Sequence, residues 1–448
     1  MEPAFLVARA PFGPIAWLDG NDGSGLGRYS FLGLHPVETR LLSFNDPDPL
    51  SFFDHLEEDC LKALACIEMP ASWPLQDLSP YRIPRWIGAI AYDLAWLMPS
   101  AFRLRASPRH FRFAPLAIFH RFESLLIFDA FDGSLWLFGA SEPACRWLEA
   151  EVHALMKRTP QEAPISLELI ECEARERHAQ AIGFAFEQIR DGIVYEVNLA
   201  RRWRALARGP SLPRRLALVA RTESPVPLGA LIESDGLALI SRSMERFLRW
   251  DRGQGFLEVR PIKGTLSSDL VAFERAAAIL PTDPKEHAEH AMVVDVVRND
   301  LALVSVPGSV RVRDAFRVEP YRHLHHLVST VCSRARPDLR LRELIVALFP
   351  PASVTGAPKP SAIELIEQLE GFARGFYCGA IGAIDHGGGV DFSVAIRTFQ
   401  VFPCEPETHE VVYFAGGGIV EASQVEREID ETELKAKVFM EALRRLCT

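Results

Sequence analysis

Lys285-Glu286-His287-Ala288-Glu289-His290-Ala291-Met292-Val293-Val294-Asp295-Val296-Val297-Arg298-Asn299-Asp300 reads as a helix with acids on its apolar side. At about 100° per residue, Glu286 and Glu289 share a stripe with Met292, Val293, Val296 and Val297. That stripe should face a core. Residues 426–446 repeat the arrangement: Glu428, Glu431 and Lys435 lie on the stripe of Val438, Phe439, Ala442 and Leu446. Each helix thus carries two carboxylates, at i and i+3, where its buried face begins.

Two readings stand. Acids in a first turn favour the helix dipole and reach solvent. Alternatively the four converge inside the protein. Unpaired buried carboxylates are costly, and converging ones repel by roughly 4 kcal/mol per close pair at an effective dielectric near 20. A divalent cation resolves both problems. All-oxygen ligands suit Mg²⁺, which keeps several waters and takes only one or two protein carboxylates directly. His287 and His290 flank the first pair, but no third nitrogen or sulfur ligand for zinc is spaced nearby.

Around these helices the pattern alternates between short apolar runs and turns. Residues 87–97, 125–128, 237–240 and 256–259 read as strands, with turns at Phe131-Asp132-Gly133-Ser134 and Ser234-Asp235-Gly236. Residues 174–191 read as another helix. Strands rich in turns, mixed with helices that do not strictly alternate, predict an α+β fold with large antiparallel sheets. The polar, Pro-containing residues 157–164 are the best candidate linker, dividing the chain into 1–160 and 165–448.

Composition narrows the function classes. The 448 residues carry a formal net charge of −10, with 24% charged and 48% hydrophobic residues, as in an ordinary globular protein. No cluster of Lys and Arg offers a footprint for nucleic acid, and no apolar run of about 18 residues suggests a membrane span. The first residues lack the basic and apolar segments of a secretory signal. Eight scattered cysteines without a C-x-x-C pair fit a reduced, cytoplasmic compartment.

Seven lysines stand against 42 arginines, so this chain uses arginine wherever a plain positive charge suffices. Lys263, in Arg260-Pro261-Ile262-Lys263-Gly264-Thr265, is therefore notable. Lysine can lose its proton and act as nucleophile or base, which guanidinium cannot. From an unperturbed pKa near 10.4, a neutral amine at pH 7 costs about 4.6 kcal/mol. Burial or a nearby cation would lower that cost. Period-2 alternation puts Lys263 and Thr265 on the face of Leu257 and Val259, provided Pro261 does not break the register. A structural salt bridge is the competing role.

The run from Lys285 to Asp300 resembles the chorismate-binding family. So do Val306-Pro307-Gly308-Ser309-Val310, His325-His326-Leu327-Val328-Ser329, Ser353-Val354-Thr355-Gly356-Ala357-Pro358-Lys359, Ala395-Ile396-Arg397-Thr398 and Gly416-Gly417-Gly418-Ile419-Val420. The likeness is dense from about Arg175 to Lys437. It continues more weakly through Arg28-Tyr29-Ser30-Phe31-Leu32-Gly33 and Gly88-Ala89-Ile90-Ala91-Tyr92-Asp93. The resemblance implies a sandwich of large antiparallel sheets with helices outside. It implies Mg²⁺ bound by Glu289 and Glu431, with Glu286 and Glu428 holding its waters. Lys435 and the backbone N–H groups of Gly416, Gly417 and Gly418 would help grip the ring carboxylate of chorismate. Arg397 and Tyr377 would hold the enolpyruvyl carboxylate, and Thr355 and Thr265 would line the ring. Glu245 would protonate the departing C4 hydroxyl, and His326 would assist proton handling.

Within the family, Pro261-Ile262-Lys263-Gly264-Thr265 resembles the members that replace the C4 hydroxyl of chorismate with an amino group, their lysine attacking C2. Members that make anthranilate carry a small residue there. Isochorismate-forming members place a lysine in the preceding strand, where this chain has Glu196 in Tyr195-Glu196-Val197-Asn198-Leu199-Ala200. The resemblance therefore implies amination by ammonia, supplied by a separate glutamine amidotransferase subunit, since no such domain is legible here. An anthranilate-forming enzyme and a catalytically silent chorismate-binding subunit are the alternatives. Glu196 for the usual glutamine, Met244 for proline, Pro351-Ala352 for a glycine pair and Glu421-Ala422-Ser423 for Ala-Asp-Ser depart from the family pattern. His386-Gly387-Gly388-Gly389 reads as a hairpin turn rather than an oxyanion loop, because no G-x-S-x-G accompanies it.

Overall fold

A computed structural model describes residues 2–10, 13–20, 25–64, 73, 75, 77–98, 114–160, 163–268, 271–321 and 324–447. Two antiparallel sheets dominate it, of eleven and ten strands. The first runs in pairing order Gly356–Ala357, Glu196–Arg208, Thr408–Ile419, Thr398–Glu405, Leu237–Ser243, Leu228–Ser234, Ile15–Asp19, Tyr29–Leu34, Ser124–Asp129 and Leu135–Gly139, with Ser166–Cys172 also on Glu196–Arg208. The second runs Ile262–Ser267, Leu324–Arg334, Phe256–Arg260, Arg246–Asp251, Val390–Val394, Ala380–Asp385, Pro84–Ile90, Ala117–Arg121 and Glu38–Leu42, with Arg311–Pro320 on Leu324–Arg334.

The sheets pack face to face. Ile118 and Ile381 of the second meet Ala230, Ile232 and Leu239 of the first, and Ile87 and Ala383 meet Ala16 and Ile127. Helices cover the outer faces, Leu148, Leu216 and Leu443 closing over the first sheet. Both sheets take strands from either side of residues 157–164: Ile15–Asp19 pairs with Leu228–Ser234, and Pro84–Ile90 with Ala380–Asp385.

The two acid-bearing helices span Pro284–Ala302 and Val425–Arg445, and residues 174–191 form the helix Arg175–Arg190. The hairpin turn at His386 to Gly389 joins Ala380–Asp385 to Val390–Val394. One strand is shorter than expected. Residues 87–97 are not one strand: Pro84–Ile90 stops, and Tyr92–Leu97 is a 3-10 helix. A run that is apolar on both faces shows little alternation to reveal its period. What turns the chain is remote in sequence, the Gly375 carbonyl accepting from Tyr92 N and the Asp93 carboxylate from Gly375 N.

Candidate active site

The strand Thr408–Ile419 organises the site through three glycines without side chains. A Cβ on Gly418 would lie 2.5 Å from Lys263 Nζ. One on Gly416 would lie 3.0 Å from both Asn198 Oδ1 and Tyr377 Oη, and one on Gly417 would lie 3.2 Å from Glu428 Oε2. Any side chain there would displace the groups that the chain has gathered. Because successive residues of a strand face opposite ways, Glu428 meets this strand from the side opposite Lys263 and Tyr377.

Lys263 keeps the face that alternation assigns it. The pairing with Leu324–Arg334 carries straight through Pro261, from Val259 opposite Val331 to Lys263 opposite Leu327. The register shifts by one between Lys263 and Thr265, which pairs with His326, so the alternation is interrupted there. The cause is a bulge at Gly264, whose φ of +78° favours glycine and whose Cβ would meet Glu286 Oε2 at 2.9 Å. The side chain of Thr265 lies outside the described residues.

Lys263 Nζ contacts Glu196 Oε1, with only 10% and 1% of the two side chains exposed. Burial pushes the ammonium down, but Glu196, Glu289 and Glu245 together outweigh it and hold Lys263 above the ordinary lysine range. That corrects the expectation of a lowered lysine: carboxylates, not apolar walls, dominate its surroundings. Burial pushes Glu245 up to about 7, against the pull of the Ser353 hydroxyl, the Ile262 N–H at 3.3 Å and the charges of Lys263 and Lys435. A carboxyl held there carries a proton near neutrality, as a general acid requires.

His326 is buried, its Nδ1 3.4 Å from the Gly264 carbonyl and its ring edge-on to Tyr321. Burial, with the Arg397 charge added, pushes it down to about 3, so it is a neutral imidazole. Arg397 holds a φ of +50°, a conformation that costs about 1–3 kcal/mol in a non-glycine residue. Burial lowers its guanidinium from the ordinary value, and among the described residues only tyrosines, Tyr413 and Tyr321, oppose that. A cation with no carboxylate beside it suits a planar anion, which it can grip bidentately. Tyr377 stacks on Phe414 beside Gly416.

Lys435 Nζ bridges the Gly416 carbonyl at 2.9 Å and Glu431 at 2.6 Å. Thr355 is fully buried, and its hydroxyl donates to the Pro351 carbonyl at 2.8 Å. The backbone of its loop accepts from Asn198 N. Lys359, at the end of the same motif, pairs with Asp300 at 2.7 Å and ties the loop to the acidic helix.

Glu428 lies against Gly417, Glu286 against Gly264 and Glu431 on Lys435, while the Glu289 charge acts on Lys263. Glu289 and Glu428 are buried, Glu286 and Glu431 half-buried. Among the described residues no three His, Cys, Asp or Glu side chains come close enough together to hold an ion. Oxygen donors, two of them buried, still fit Mg²⁺ taking one or two carboxylates directly and the rest through water.

Sequence reasoning gave no role to Asn198, whose Oδ1 is buried without a hydrogen-bond partner beside Gly416, nor to Ser353, whose hydroxyl acts on Glu245. Both stood inside quoted motifs, which was the signal available. A cavity of about 890 Å³ elsewhere, lined by Met292, Asp300, Leu303 and Lys359 among others, includes neither Lys263, Glu245 nor Arg397.

The chain belongs to the chorismate binding enzyme family, which it matches over residues 27–441. It is 36% identical over 273 residues to aminodeoxychorismate synthase component 1 of Escherichia coli (strain K12), covering 60% of this chain and 58% of that protein. That match therefore spans less than two thirds of the relative's length. Anthranilate synthase component 1 of Synechocystis sp. is 30% identical over 473 residues, covering 95% of this chain and 89% of that one. Among solved structures, anthranilate synthase component I from Streptococcus pneumoniae TIGR4 superposes with a TM-score of 0.73 at 25% identity, covering 92% of each chain.

Proposed function

We propose that this chain aminates chorismate at C4, as component I of an aminodeoxychorismate synthase, with ammonia from a separate glutamine amidotransferase subunit. The observation that carries the reading is Lys263, a buried primary amine against Gly418 and within reach of the charges of Glu245 and Glu289. A primary amine at that place serves C–N chemistry that a small residue cannot.

In this reading Arg397 and Tyr377 hold the enolpyruvyl carboxylate, while Lys435 and the Gly416 to Gly418 backbone hold the ring carboxylate. Mg²⁺ at Glu289 and Glu431, with Glu286 and Glu428 behind its waters, would supply positive charge to that carboxylate. The neutral Lys263 amine forms a bond to C2. The ring double bonds shift, the C4–O bond breaks, and Glu245 gives its proton to the departing hydroxyl, which leaves as water. Ammonia then bonds to C4, the double bonds shift back, and Lys263 leaves C2 as an amine. Glu245 takes the surplus proton from the new C4 ammonium. Neutral His326 borders the ring without adding charge. Among the described residues no helix is long and apolar enough to cross a membrane and the cysteines are free, in keeping with work in the cytoplasm.

The likeness to anthranilate synthases supports a second reading, formation of anthranilate with loss of pyruvate. One experiment separates them. Pure protein is incubated with chorismate, Mg²⁺ and concentrated ammonium at alkaline pH, and the product is identified by mass. The expected product carries an amino group in place of hydroxyl and keeps its enolpyruvyl group. Anthranilate with pyruvate would replace this proposal by the second, and no turnover would leave a silent binding subunit.

A further inference from the structure

The contact between Glu196 and Lys263 is placed to do more than hold a charge. Glu196 reaches Lys263 from the start of the strand Glu196–Arg208, its Oε1 on Nζ and its side chain 1% exposed. The same oxygen lies against the place a Gly418 side chain would fill. The other charged groups facing Lys263 come from two further elements, Glu289 from the acidic helix and Glu245 from the turn before Arg246–Asp251. The buried His290 ring also feels the Lys263 charge. Of the three carboxylates, Glu196 is the one shown in hydrogen-bond contact with the amine. An ammonium held this way has no lone pair and cannot attack carbon. A buried ion pair that exchanges one proton becomes a neutral amine beside a neutral acid, with no charge left to desolvate.

We propose that Glu196 is the base that takes the Lys263 proton and so makes the amine a nucleophile, which rests on the nucleophile reading above. The proton passes from Nζ to Glu196 Oε1 as the Nζ lone pair forms the bond to C2. When ammonia has displaced the lysine, the C2–N bond breaks, its electron pair returns to Nζ, and Glu196 gives the proton back. Glu245 handles the separate proton at C4. No external base is consumed, and the pair ends each cycle as it began.

The test withholds ammonia, so that the Lys263–ring adduct accumulates, and follows it by mass of the peptide carrying Lys263 across pH 6.5 to 9. Because the proton stays inside the pair, the wild-type rate of adduct formation should follow Glu245 alone, which must carry its proton, and fall as pH rises past about 7. Glu196→Gln keeps a hydrogen-bonding side chain of the same size but cannot accept the proton. Its adduct should form about a hundredfold more slowly at pH 7, and its rate relative to wild type should gain about tenfold per pH unit. Glu196→Asp, which keeps the carboxylate, should restore the wild-type profile at a reduced rate, and chorismate binding should persist in both variants. A Glu196→Gln profile that matches the wild type in rate and shape overturns the role of Glu196 alone. Absence of any adduct in wild-type protein, with amination retained in Lys263→Ala, overturns the nucleophile reading and this inference with it.

Discussion

Two of the ion pairs buried in this core are built for opposite ends. Arg374 and Glu370 leave 1% and 2% of their side chains exposed. Arg374 gives Glu370 bonds of 2.9 and 2.6 Å, and it caps the carbonyls of Val354 and Asn198 at 3.0 and 2.7 Å. Glu370 also accepts from Ala200 N at 2.8 Å, and the guanidinium lies over Tyr92. Lys263 and Glu196 leave 10% and 1% exposed and share one hydrogen bond. The first pair uses a cation that cannot lose its proton and satisfies nearly every donor, as a fixed strut should. The second uses a cation that can lose it and leaves donors over for a reaction. Satisfaction, rather than burial, separates scaffold from chemistry here.

The sharpest way to break this contrast is to truncate each cation. Lys263→Ala should bring amination to background while chorismate still binds, measured by product formation and equilibrium binding. Retained amination would remove the lysine from the mechanism. Arg374→Ala should instead cost about 3–5 kcal/mol of stability, read by denaturant titration, because it strands Glu370 and two carbonyls together. An equal loss of stability in both variants would erase the distinction.

Glu245→Gln tests the third buried acid. Turnover should fall by about 10²–10⁴-fold, and its pH dependence has a defined sign. The folded value of about 7 lies above the usual carboxylate range. Its stabilising contribution is therefore complete below that range and is lost as pH rises through about 7. The variant should match wild type in stability near pH 4 and exceed it by up to about 3 kcal/mol at pH 8. A gap that does not change with pH would mean that the carboxyl titrates normally.

Smaller effects refine the anion side. Arg397→Lys keeps charge but loses the planar fork, so KM for chorismate should rise about tenfold with little change in kcat. An unchanged KM would move the substrate carboxylate elsewhere. Glu431→Gln should raise the Mg²⁺ concentration for half-maximal activity several-fold, and a superimposable titration would count against ligation.

Much of this was legible in local sequence. Helical period placed Glu286, Glu289, Glu428 and Glu431 at the edges of buried faces, because 3.6-residue periodicity is a property of the chain itself. The scarcity of lysine marked Lys263, and alternation gave its face, since Pro261 left the register intact. Other features were not legible. The strand over 87–97 failed because a turn at Gly375 captures Tyr92 and Asp93 from a distance. The register shift beyond Lys263 was another, since one glycine absorbs an extra residue in the ladder.

The sequence by itself determined the family, the periodic faces and the chemical types of the reacting groups, since these are written in residue identity and short spacing. Only the tertiary structure decided that Glu196 meets Lys263 across 67 residues, that Glu428 stands on the other side of the glycine strand, and that the lysine rests protonated. Those outcomes depend on which surfaces two large sheets bring together, and electrostatic surroundings are set by neighbours in space, whose identity no local pattern carries.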